Sequence, residues 1–549
     1  MKNETLTEKE KSLLFWASFL SLLAAGVGFV FRVMIPTMWA DEFQITMADV
    51  GALTGTALWP VAVTMILFSL LVDKIGYKVS MFFAFVLQGA SVVLTVTATT
   101  SGGMWWACFC AGLGHGVVEA VINPLCASAY REEKSKWLNI LHASWPAGIV
   151  VGGIVYITLV GTDEALKWSD AKWIFWFMLL PVLAYGVLFL MCKRFPVDER
   201  VEAGVSYGDM LKEFGGLGVF LASSFLIYEL TDQLNIDLGD SKLYICLAFG
   251  AVLGAIAGFV LKSTGKILFF VLCLIMIPLA TAELATDAWI QSLMRPIMGA
   301  KAAAWAIVLS AAIMMVLRFF AGVPLKFMSP PQLLLVSSIF SIVGLFALSV
   351  TGGALIFGAF VLYAVGQTFY WPTVLGFVAE QFPKGGAMTL NTVSAMGLLT
   401  VGIFGFPFLG AVQDHYSTQA IIEKEPALVK QVQDGKQTFE DLTDPKNPED
   451  KPLYETKNFF GVDYASINAG EFQKLPELDE ERVKVLEGTL AKTSQSSLKV
   501  AAVLPAIMAV AFLLIILFYR FKGGYKPVEL ADAGSSAPVC DSASRSEGG

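Results

Sequence analysis

The stretch ILFFVLCLIMIPLATAELATDAWIQSL, which runs from Ile267 to Leu293, decides the fold class. No charged residue interrupts it before Glu283. A helix needs about 20 predominantly apolar residues to cross a bilayer, and lipid offers no hydrogen bonds to an exposed backbone. The sequence therefore predicts a membrane-spanning helix here, with acidic side chains inside it.

Comparable apolar stretches recur along the whole chain. Its 549 residues are 56% hydrophobic and 15% charged, with a mean hydropathy of +0.66, whereas soluble domains carry about 25% charged residues. Six, two and six stretches make fourteen predicted spans of an all-α integral membrane protein. These spans are Leu13–Trp39, Val50–Val72, Val79–Ala98, Met104–Ala129, Leu138–Val160, Trp173–Cys192, Leu217–Leu234, Leu243–Leu261, Ile267–Leu293, Ala302–Leu325, Leu333–Val350, Ala354–Ala379, Met388–Val412 and Leu498–Tyr519.

Basic residues between the predicted spans set the orientation. They precede the first span and recur in every second loop, which places these loops and both termini in the cytoplasm. We therefore expect a multi-pass protein of the inner (plasma) membrane. The first span is too long for the core of a signal peptide and is expected to stay in the mature protein. No basic tract predicts nucleic-acid binding.

One extracytoplasmic loop is unusually long and acidic. Residues 413–497 hold 10 Lys/Arg and 17 Asp/Glu, a balance of −7 within a total of −8. A solvated accessory loop is favoured over a partner-binding segment, and Glu480–Leu490 has a helical pattern. The predicted domains are an N-terminal six-helix bundle at 1–195, a linker with an inserted two-helix hairpin at 196–266, a C-terminal six-helix bundle at 267–520 and a disordered tail at 521–549.

The two six-span halves repeat each other at a nearly constant offset. Parallel repeats about an axis normal to the membrane place a substrate site between the halves, near mid-bilayer. The sequence therefore predicts a polar cleft and transport by alternating access. The matches are Asn123-Pro124 with Trp371-Pro372 (offset 248), Leu138-Asn139 with Leu390-Asn391 (252) and Ser69–Lys78 with Gly322–Pro331 (253).

The segment SLLVDKIGYK, from Ser69 to Lys78, resembles the loop signature between the second and third helices of the major facilitator superfamily. Asp73, Gly76 and Lys78 stand where the family has its acid, glycine and basic residue. The resemblance implies two six-helix bundles and secondary transport of a small solute. It also implies an inner gate at the cytoplasmic ends, formed by Asp73, Lys74, Gly76, Lys78, Arg318 and Lys326.

A closer resemblance is to the fucose–galactose–glucose:proton symporter family. GLGHGVVEAVINP (Gly112–Pro124) and LNILHASWPAG (Leu138–Gly148) resemble its fourth and fifth helices. The resemblance carries the family's fourth-helix glutamate over to Glu119. Arg32 stands where the family has a first-helix acid, and Trp145 replaces a fifth-helix asparagine used near the sugar.

Ionisable groups inside spans indicate a structural or functional role, because inserting each one into a bilayer costs roughly 2.5 kcal/mol or more of free energy. His115, Glu119 and Asn123 are spaced i, i+4, i+8 and share one helix face. Burial raises a carboxyl pKa toward neutrality, so Glu119 is predicted to carry a coupling proton, with His115 tuning it. The alternative is a structural hydrogen bond to another helix.

Glu283 and Asp287 form a second i, i+4 acidic pair, and the repeat offset places Arg32 opposite them. We consider three roles. The charges could close an outer gate, with the acids taking part in proton coupling. Arg32 could bind a carboxylate or phosphate of the substrate, since guanidinium favours bidentate anion contacts. The third reading is a static ion pair.

Further pocket candidates are polar or aromatic. Gln367, Tyr370 and Trp371 suit the hydroxyls and faces of a sugar ring, although packing before a proline explains the two aromatic residues equally well. His142 and Trp145 share a face of the fifth span. The remaining substrate-binding candidates are Asn123, Gln291 and Asn391.

Two transport functions and one other class remain open. The first is proton-coupled import of a sugar or sugar acid, and the alternative is proton-antiport export of drugs or metabolites. The third is a sensor or membrane enzyme, although the chain has no phosphate-binding GxxxxGK[ST] loop and no HExxH. With three histidines, we expect no metal site and no cofactor. The expected partners are a small-molecule substrate, the proton and the lipid bilayer, around a monomer.

Overall fold

The computed structural model describes residues 6–45, 47–162, 166–234, 236–288, 299–353, 355–433, 454–460, 462–467, 469–473, 475 and 478–530. Within them, fourteen helices are long and apolar enough to cross a membrane, so the predicted all-α class and number of spans are confirmed. Spans 1 to 14 are, in order, Glu8–Met34, Asp49–Ile75, Tyr77–Thr97, Ser101–Ala129, Arg131–Leu159, Trp168–Met191, Tyr207–Gln233, Lys242–Leu261, Ile267–Ala288, Lys301–Lys326, Pro330–Val350, Leu355–Gln381, Pro383–Lys424 and Glu480–Phe521.

Several spans are broken just before a proline, and two of these breaks, in spans 5 and 12, lie where the two halves meet. Span 5 consists of Lys134–His142 and Ser144–Leu159, and span 12 of Leu355–Gln367 and Tyr370–Gln381. A proline inside a helix has no N–H to donate and clashes with the carbonyl four residues earlier. Pro146 and Pro372 therefore leave the carbonyl oxygens of His142 and Thr368 without their helical partners.

Other irregularities lie at span ends and in the C-terminal half. Spans 9 and 13 each contain a turn of π-helix, at Thr281–Ala285 and Val401–Gly405, and these two turns pack on each other. Such turns concentrate at functional sites. The remaining pieces are Pro36–Phe43, Met47–Gly55, Trp59–Ile75, Trp168–Ala171, Lys172–Met178, Leu179–Met191, Glu199–Glu202, Ile267–Ala280, Ala300–Phe319, Gly386–Thr400, Phe406–Lys424, Glu480–Ala501 and Val503–Phe521.

The two halves pack in the same pattern. Span 1 contacts spans 5 and 6, span 3 contacts spans 4 and 6, and span 2 contacts span 4; adding eight to each number gives the contacts of spans 9–14. The contacts between halves follow this rule too, because span 5 meets spans 10 and 12 while span 13 meets spans 2 and 4. This is the two-bundle arrangement that the sequence repeat predicts. Spans 7 and 8 pair with each other, and span 7 packs on spans 9 and 13.

Two asparagines that the repeat matches cross between the halves. Asn139 of span 5 donates to the hydroxyl of Thr373 in span 12 at 3.2 Å. Its repeat mate Asn391, in span 13, donates to the carbonyl of Ala120 in span 4 at 3.0 Å. The sequence proposed Asn391 as a weak substrate-binding candidate, but in this conformation its amide nitrogen bonds the opposite helix. Both bonds lie in buried surroundings.

The segment from 413 to 497 is folded in its described part, whereas the sequence predicted a solvated loop. The helix of span 13 continues to Lys424, and Pro426–Gln433 and Ala469–Phe472 are short helices. Strands β1 (Tyr454–Phe459) and β2 (Val462–Ile467) form an antiparallel hairpin. A small apolar core packs beneath these helices and strands. The elements that contribute to it are too short to show a periodic hydrophobic pattern in the sequence. Its members include Ile421, Leu428, Ile467, Phe472 and Leu486.

Spans 1 and 5 cross at glycines, which allows their backbones to touch. A Cβ at Gly148 would overlap the backbone of span 1, lying 2.9 Å from the nitrogen of Val27. We expect Gly148→Val to lower the free energy of unfolding by about 1–3 kcal/mol, the usual cost of overpacking. The thermal denaturation midpoint in detergent measures this. Gly89→Val is the matched control, since a Cβ there meets nothing within 4 Å; equal losses in the two variants would contradict the close crossing.

Candidate substrate cleft and its buried charges

A chain of hydrogen bonds runs through the N-terminal half at mid-span. Asn123 donates to the Glu119 carboxylate at 2.6 Å, and its amide oxygen lies 2.9 Å from His142 Nε2. His115 Nε2 lies 3.7 Å from the same carboxylate, a separation that makes an ion pair only when the ring carries a proton. The His115 ring also stacks on Trp145, with centroids 5.1 Å apart. These contacts join five of the six N-terminal candidates, and the sixth is Arg32.

Arg32 lies buried near the C-terminal end of span 1, without an acidic partner among the described residues. Its Nη1 donates to the Gly28 carbonyl at 3.0 Å, and the guanidinium stands over the ring of Phe175 at 6.0 Å. Its Nε and Nη2 have no hydrogen-bond partner in the described part of the chain. The sequence reading that paired Arg32 with Glu283 or Asp287 therefore does not describe this conformation.

Glu283 pairs with Arg318 instead. The Arg318 Nη2 to Glu283 Oε1 distance is 2.6 Å, and both side chains are almost fully buried. The other carboxylate oxygen accepts the backbone N–H of Trp371 at 3.0 Å. That N–H belongs to the first turn of helix Tyr370–Gln381, where a negative charge is favourable because the helix dipole is positive there.

Arg318 also serves both of the carbonyl groups that the two prolines leave unbonded. Its Nε donates to the Thr368 carbonyl at 2.7 Å and its Nη1 to the His142 carbonyl at 3.0 Å. The two oxygens lie in opposite halves of the molecule, so one guanidinium ties both broken helices and the Glu283 carboxylate together. A cation at a helix C-terminus complements the dipole, and both carbonyls end such a half-helix.

This position corrects a prediction. The resemblance placed Arg318 among gate residues at the cytoplasmic ends, whereas it is 1% exposed between the halves. Its helix ends at Phe319, one residue later, whereas the predicted span ran on to Leu325. Two prolines inside spans, Pro146 and Pro372, could have indicated the position of Arg318. Each proline leaves a carbonyl group that needs a hydrogen-bond donor from a neighbouring helix.

Asp287 makes a separate contact in the C-terminal half. Its carboxylate accepts from Gln367 Nε2 at 2.9 Å and from the Ser310 hydroxyl at 3.3 Å. Tyr370 is fully buried in the core of this half and Trp371 nearly so. Gln291 lies outside the described residues. Gln367 and Asp287 thus form a polar pair, while the Tyr370 ring packs.

Two adjoining cavities meet at the Phe29–Trp145 pair, whose rings lie 5.2 Å apart. One is lined on the N-terminal side by Arg32, Gln88 and His115, among others. The other reaches Glu283 and Asp287 on the C-terminal side. Both share Phe29, Val33 and Trp145. Aromatic walls with a few charged groups are typical of a small-molecule site.

Ion pairs join the N-terminal half to the linker at the end of the bundle that carries the basic loops. Asp73 pairs with Arg200, Lys134 with Glu199, and Arg131 with Glu202 at 2.5 Å. Of the predicted gate residues, Asp73 thus takes its partner from helix Glu199–Glu202, in the linker after span 6, which sequence reasoning did not single out. Charges in that linker looked like ordinary loop charges.

The other predicted gate residues are spread over this end. Lys78 donates to the carbonyls of Leu190 and Cys192 at 2.9 and 3.3 Å, which cap the end of span 6. Lys74 lies over the ring of Tyr207 at 5.5 Å. Gly76 (φ +82) separates spans 2 and 3, and Lys326 is exposed. Burial raises the pKa of the Asp198 carboxyl above its usual value, beside the Asp73–Arg200 pair.

Comparison with known protein families decides the identity of this scaffold. The family model of the Major Facilitator Superfamily matches residues 14–411, well over half of the chain. This chain belongs to the Major Facilitator Superfamily. As a facilitator it is a multi-pass membrane transporter, which confirms the superfamily predicted from Ser69–Lys78.

One curated relative and several solved structures resemble this facilitator. The gentisate transporter of Corynebacterium glutamicum is 23% identical over 165 residues, which cover 30% of this chain and 36% of that transporter. The match therefore spans about a third of the relative's length. The fucose:proton symporter FucP of E. coli is 14% identical with a TM-score of 0.54, covering 74% of this chain and 92% of its own.

Two further facilitator structures share the fold. The proton:xylose symporter XylE is 13% identical with a TM-score of 0.55, covering 76% of this chain and 91% of its own. A bacterial homolog of the human lysosomal transporter Spinster, in an inward-facing and unoccupied conformation, is 13% identical with a TM-score of 0.57; the match covers 95% of this chain and 100% of that one. At these identities the likeness shows the fold.

Removing one charge of the buried pair should destabilise this facilitator strongly. We expect Arg318→Gln to cost about 3–5 kcal/mol, because Glu283 is then a buried charge without its cation. The double variant Glu283→Gln/Arg318→Gln should recover part of this loss, since no unpaired charge remains. Thermal denaturation in detergent measures both.

Lys326→Gln is the matched control, because Lys326 is the last residue of the same span but is exposed. It should leave the denaturation midpoint unchanged. A double variant that is no more stable than Arg318→Gln would mean that the carbonyl bonds, and not the ion pair, supply the stability.

Proposed function

We propose that this facilitator carries a small carboxylate-bearing solute, a sugar acid in the first instance, by proton-coupled symport through the plasma membrane. The observation that carries the proposal is Arg32: a buried guanidinium whose Nε and Nη2 have no partner among the described residues. Burying a cation with unmade hydrogen bonds is costly, and a carboxylate would satisfy both N–H groups in bidentate geometry.

The walls of the cleft support a ring-shaped anion. Phe29 and Trp145 offer aromatic faces beside Arg32, and Gln88 offers an amide for hydroxyl groups. The gentisate transporter, a distant relative by sequence, is named after an aromatic carboxylate. The sugar:proton symporters that share the fold favour a polyol ring. A sugar acid combines the ring of one group with the charge of the other.

The proton would bind at Glu119. Its carboxylate is buried within reach of three polar side chains, His115, Asn123 and, through Asn123, His142. Such a carboxylate can take up a proton and release it again. His142 also bonds Arg318 through its backbone carbonyl, so the proton site touches the residue that joins the halves.

Closure at the basic end gives the proposed direction. If the basic loops are cytoplasmic, this conformation is closed toward the cytoplasm and its cleft faces outward. Loading of the anion at Arg32 and the proton at Glu119 would then precede opening of the Asp73–Arg200 and Lys134–Glu199 pairs. We also propose a monomeric working unit with both termini in the cytoplasm, because one chain encloses the cleft.

Export by proton antiport is the second candidate. The loose glycine pattern of span 5 favours it, with Gly148, Gly152 and Gly153 after Pro146. The same cleft residues would then bind substrate from the cytoplasm, and the proton would move in the opposite sense.

Reconstitution into proteoliposomes separates the two candidates. An inward proton gradient should drive accumulation of labelled hexuronates above labelled monosaccharides and gentisate. Proton influx should accompany substrate influx. Proton release on substrate entry would instead establish antiport, and silence with all three substrate classes would overturn the proposal.

Glu119→Gln should separate coupling from binding. We expect gradient-driven accumulation to fall at least about tenfold, because the amide cannot load a proton, while exchange of labelled for unlabelled substrate is partly kept. Glu132→Gln is the matched control, because it makes the same change at an exposed carboxylate outside the cleft and should retain accumulation. Full accumulation in Glu119→Gln would remove Glu119 from the coupling step.

Arg32→Ala should discriminate between substrates. Loss of a charge-assisted contact costs about 1.5–3 kcal/mol, so the KM for an anionic substrate should rise roughly 10- to 100-fold. A neutral sugar, if transported at all, should lose much less. Transport assays with a hexuronate and its parent hexose measure this difference, and equal losses would leave Arg32 a gate or structural residue.

A further inference from the structure

The segment after the last span folds back onto the joint between the two halves. The helix of span 14 ends at Phe521, and Gly523 and Gly524 then adopt φ of +90° and +105°. This left-handed region favours glycine, and it reverses the chain. We call residues 523–530 the C-terminal strap.

The strap is bonded to the end of span 12. The backbone N–H of Val528 donates to the Glu380 carbonyl at 2.8 Å, and Gln381 Nε2 donates to the Lys526 carbonyl at 2.8 Å. The ring of Tyr525 packs against Phe377 and Tyr519, at centroid distances of 5.7 and 5.2 Å. A backbone hydrogen bond, a side-chain amide hydrogen bond and aromatic contacts therefore fix the position of the strap against spans 12 and 14.

The Tyr525 hydroxyl reaches the residue that joins the halves at this end. It donates to Glu380 Oε2 at 2.6 Å. Burial and the adjacent carboxylate raise the pKa of Tyr525 well above its usual value, so the hydroxyl keeps its proton and remains a donor. Tyr519 makes a parallel but separate bond, from its hydroxyl to Gln381 Oε1 at 2.8 Å.

The second oxygen of Glu380 faces the other half. It accepts the backbone N–H of Ser135 at 3.3 Å and the Ser135 hydroxyl at shorter range. Ser135 lies in the first turn of helix Lys134–His142, whose dipole favours a carboxylate. Spans 5 and 12 touch there because Gly376 has no Cβ, and a Cβ at that position would overlap Ser135.

We propose that the C-terminal strap holds Glu380 against Ser135 and thereby stabilises the conformation that is closed at the basic end. Tyr525 fixes one carboxylate oxygen, which orients the other toward the N-terminal half. Opening of this end requires span 5 to leave span 12, and the strap lies entirely on the span 12 side. It therefore controls how firmly the joint closes, without being part of the cleft, and the inference is independent of the substrate.

Hydrogen–deuterium exchange of the full-length protein tests the strap. Tyr525→Phe removes one hydroxyl and keeps the ring. We expect amide exchange in residues 131–142, in the other half of the molecule, to accelerate about 3- to 10-fold as closure weakens. A chain that stops after Lys522 should show the same change, larger in size.

Tyr519→Phe is the matched control. It removes a hydroxyl of the same aromatic group, but one that bonds Gln381 and not Glu380. Exchange in residues 131–142 should stay at the wild-type rate in this variant. The proposal is overturned if Tyr525→Phe changes exchange only in the strap, or if both tyrosine variants accelerate residues 131–142 equally.

Discussion

The structure depends on how the carbonyl groups freed by Pro146 and Pro372 are satisfied. Within a bilayer an unbonded carbonyl costs several kcal/mol, so a proline-broken span needs a donor from elsewhere in the protein. Arg318 supplies it at both breaks, and Glu283 balances the charge that this requires. This single cation therefore fixes four spans relative to one another. That role accounts for a full positive charge at a buried position, where desolvation makes it costly.

The internal repeat makes the packing of the spans symmetric, but the buried charged groups are not placed symmetrically. Pro146 lies in span 5 and Pro372 in span 12, which are not repeat mates, and Arg318 comes from one half only. The N-terminal half uses neutral and titratable groups at mid-span, Glu119 with Asn123 and two histidines. The C-terminal half uses a permanent ion pair.

Much of the fold could be predicted from the sequence because membrane helices leave a strong signal. Fourteen apolar stretches and three repeat matches predicted the spans and the two bundles. Arg318 was misplaced because a linear position cannot show that a helix ends in mid-protein. The partners at the basic end, Glu199 and Arg200, were missed because their positions depend on how the linker folds. The linker sequence has no periodic hydrophobic pattern that would predict this fold. The small core between residues 421 and 486 was missed for the same reason.

The joint between the halves has an unusual composition at the basic end. Where spans 5 and 12 touch, the contact consists of Gly376, Ser135 and the Asn139–Thr373 bond, and span 13 meets span 4 through Asn391. Separating such surfaces uncovers little oily area, and water can replace each polar contact as it breaks. This seam therefore relies on contacts that water can replace, unlike the apolar packing inside each half.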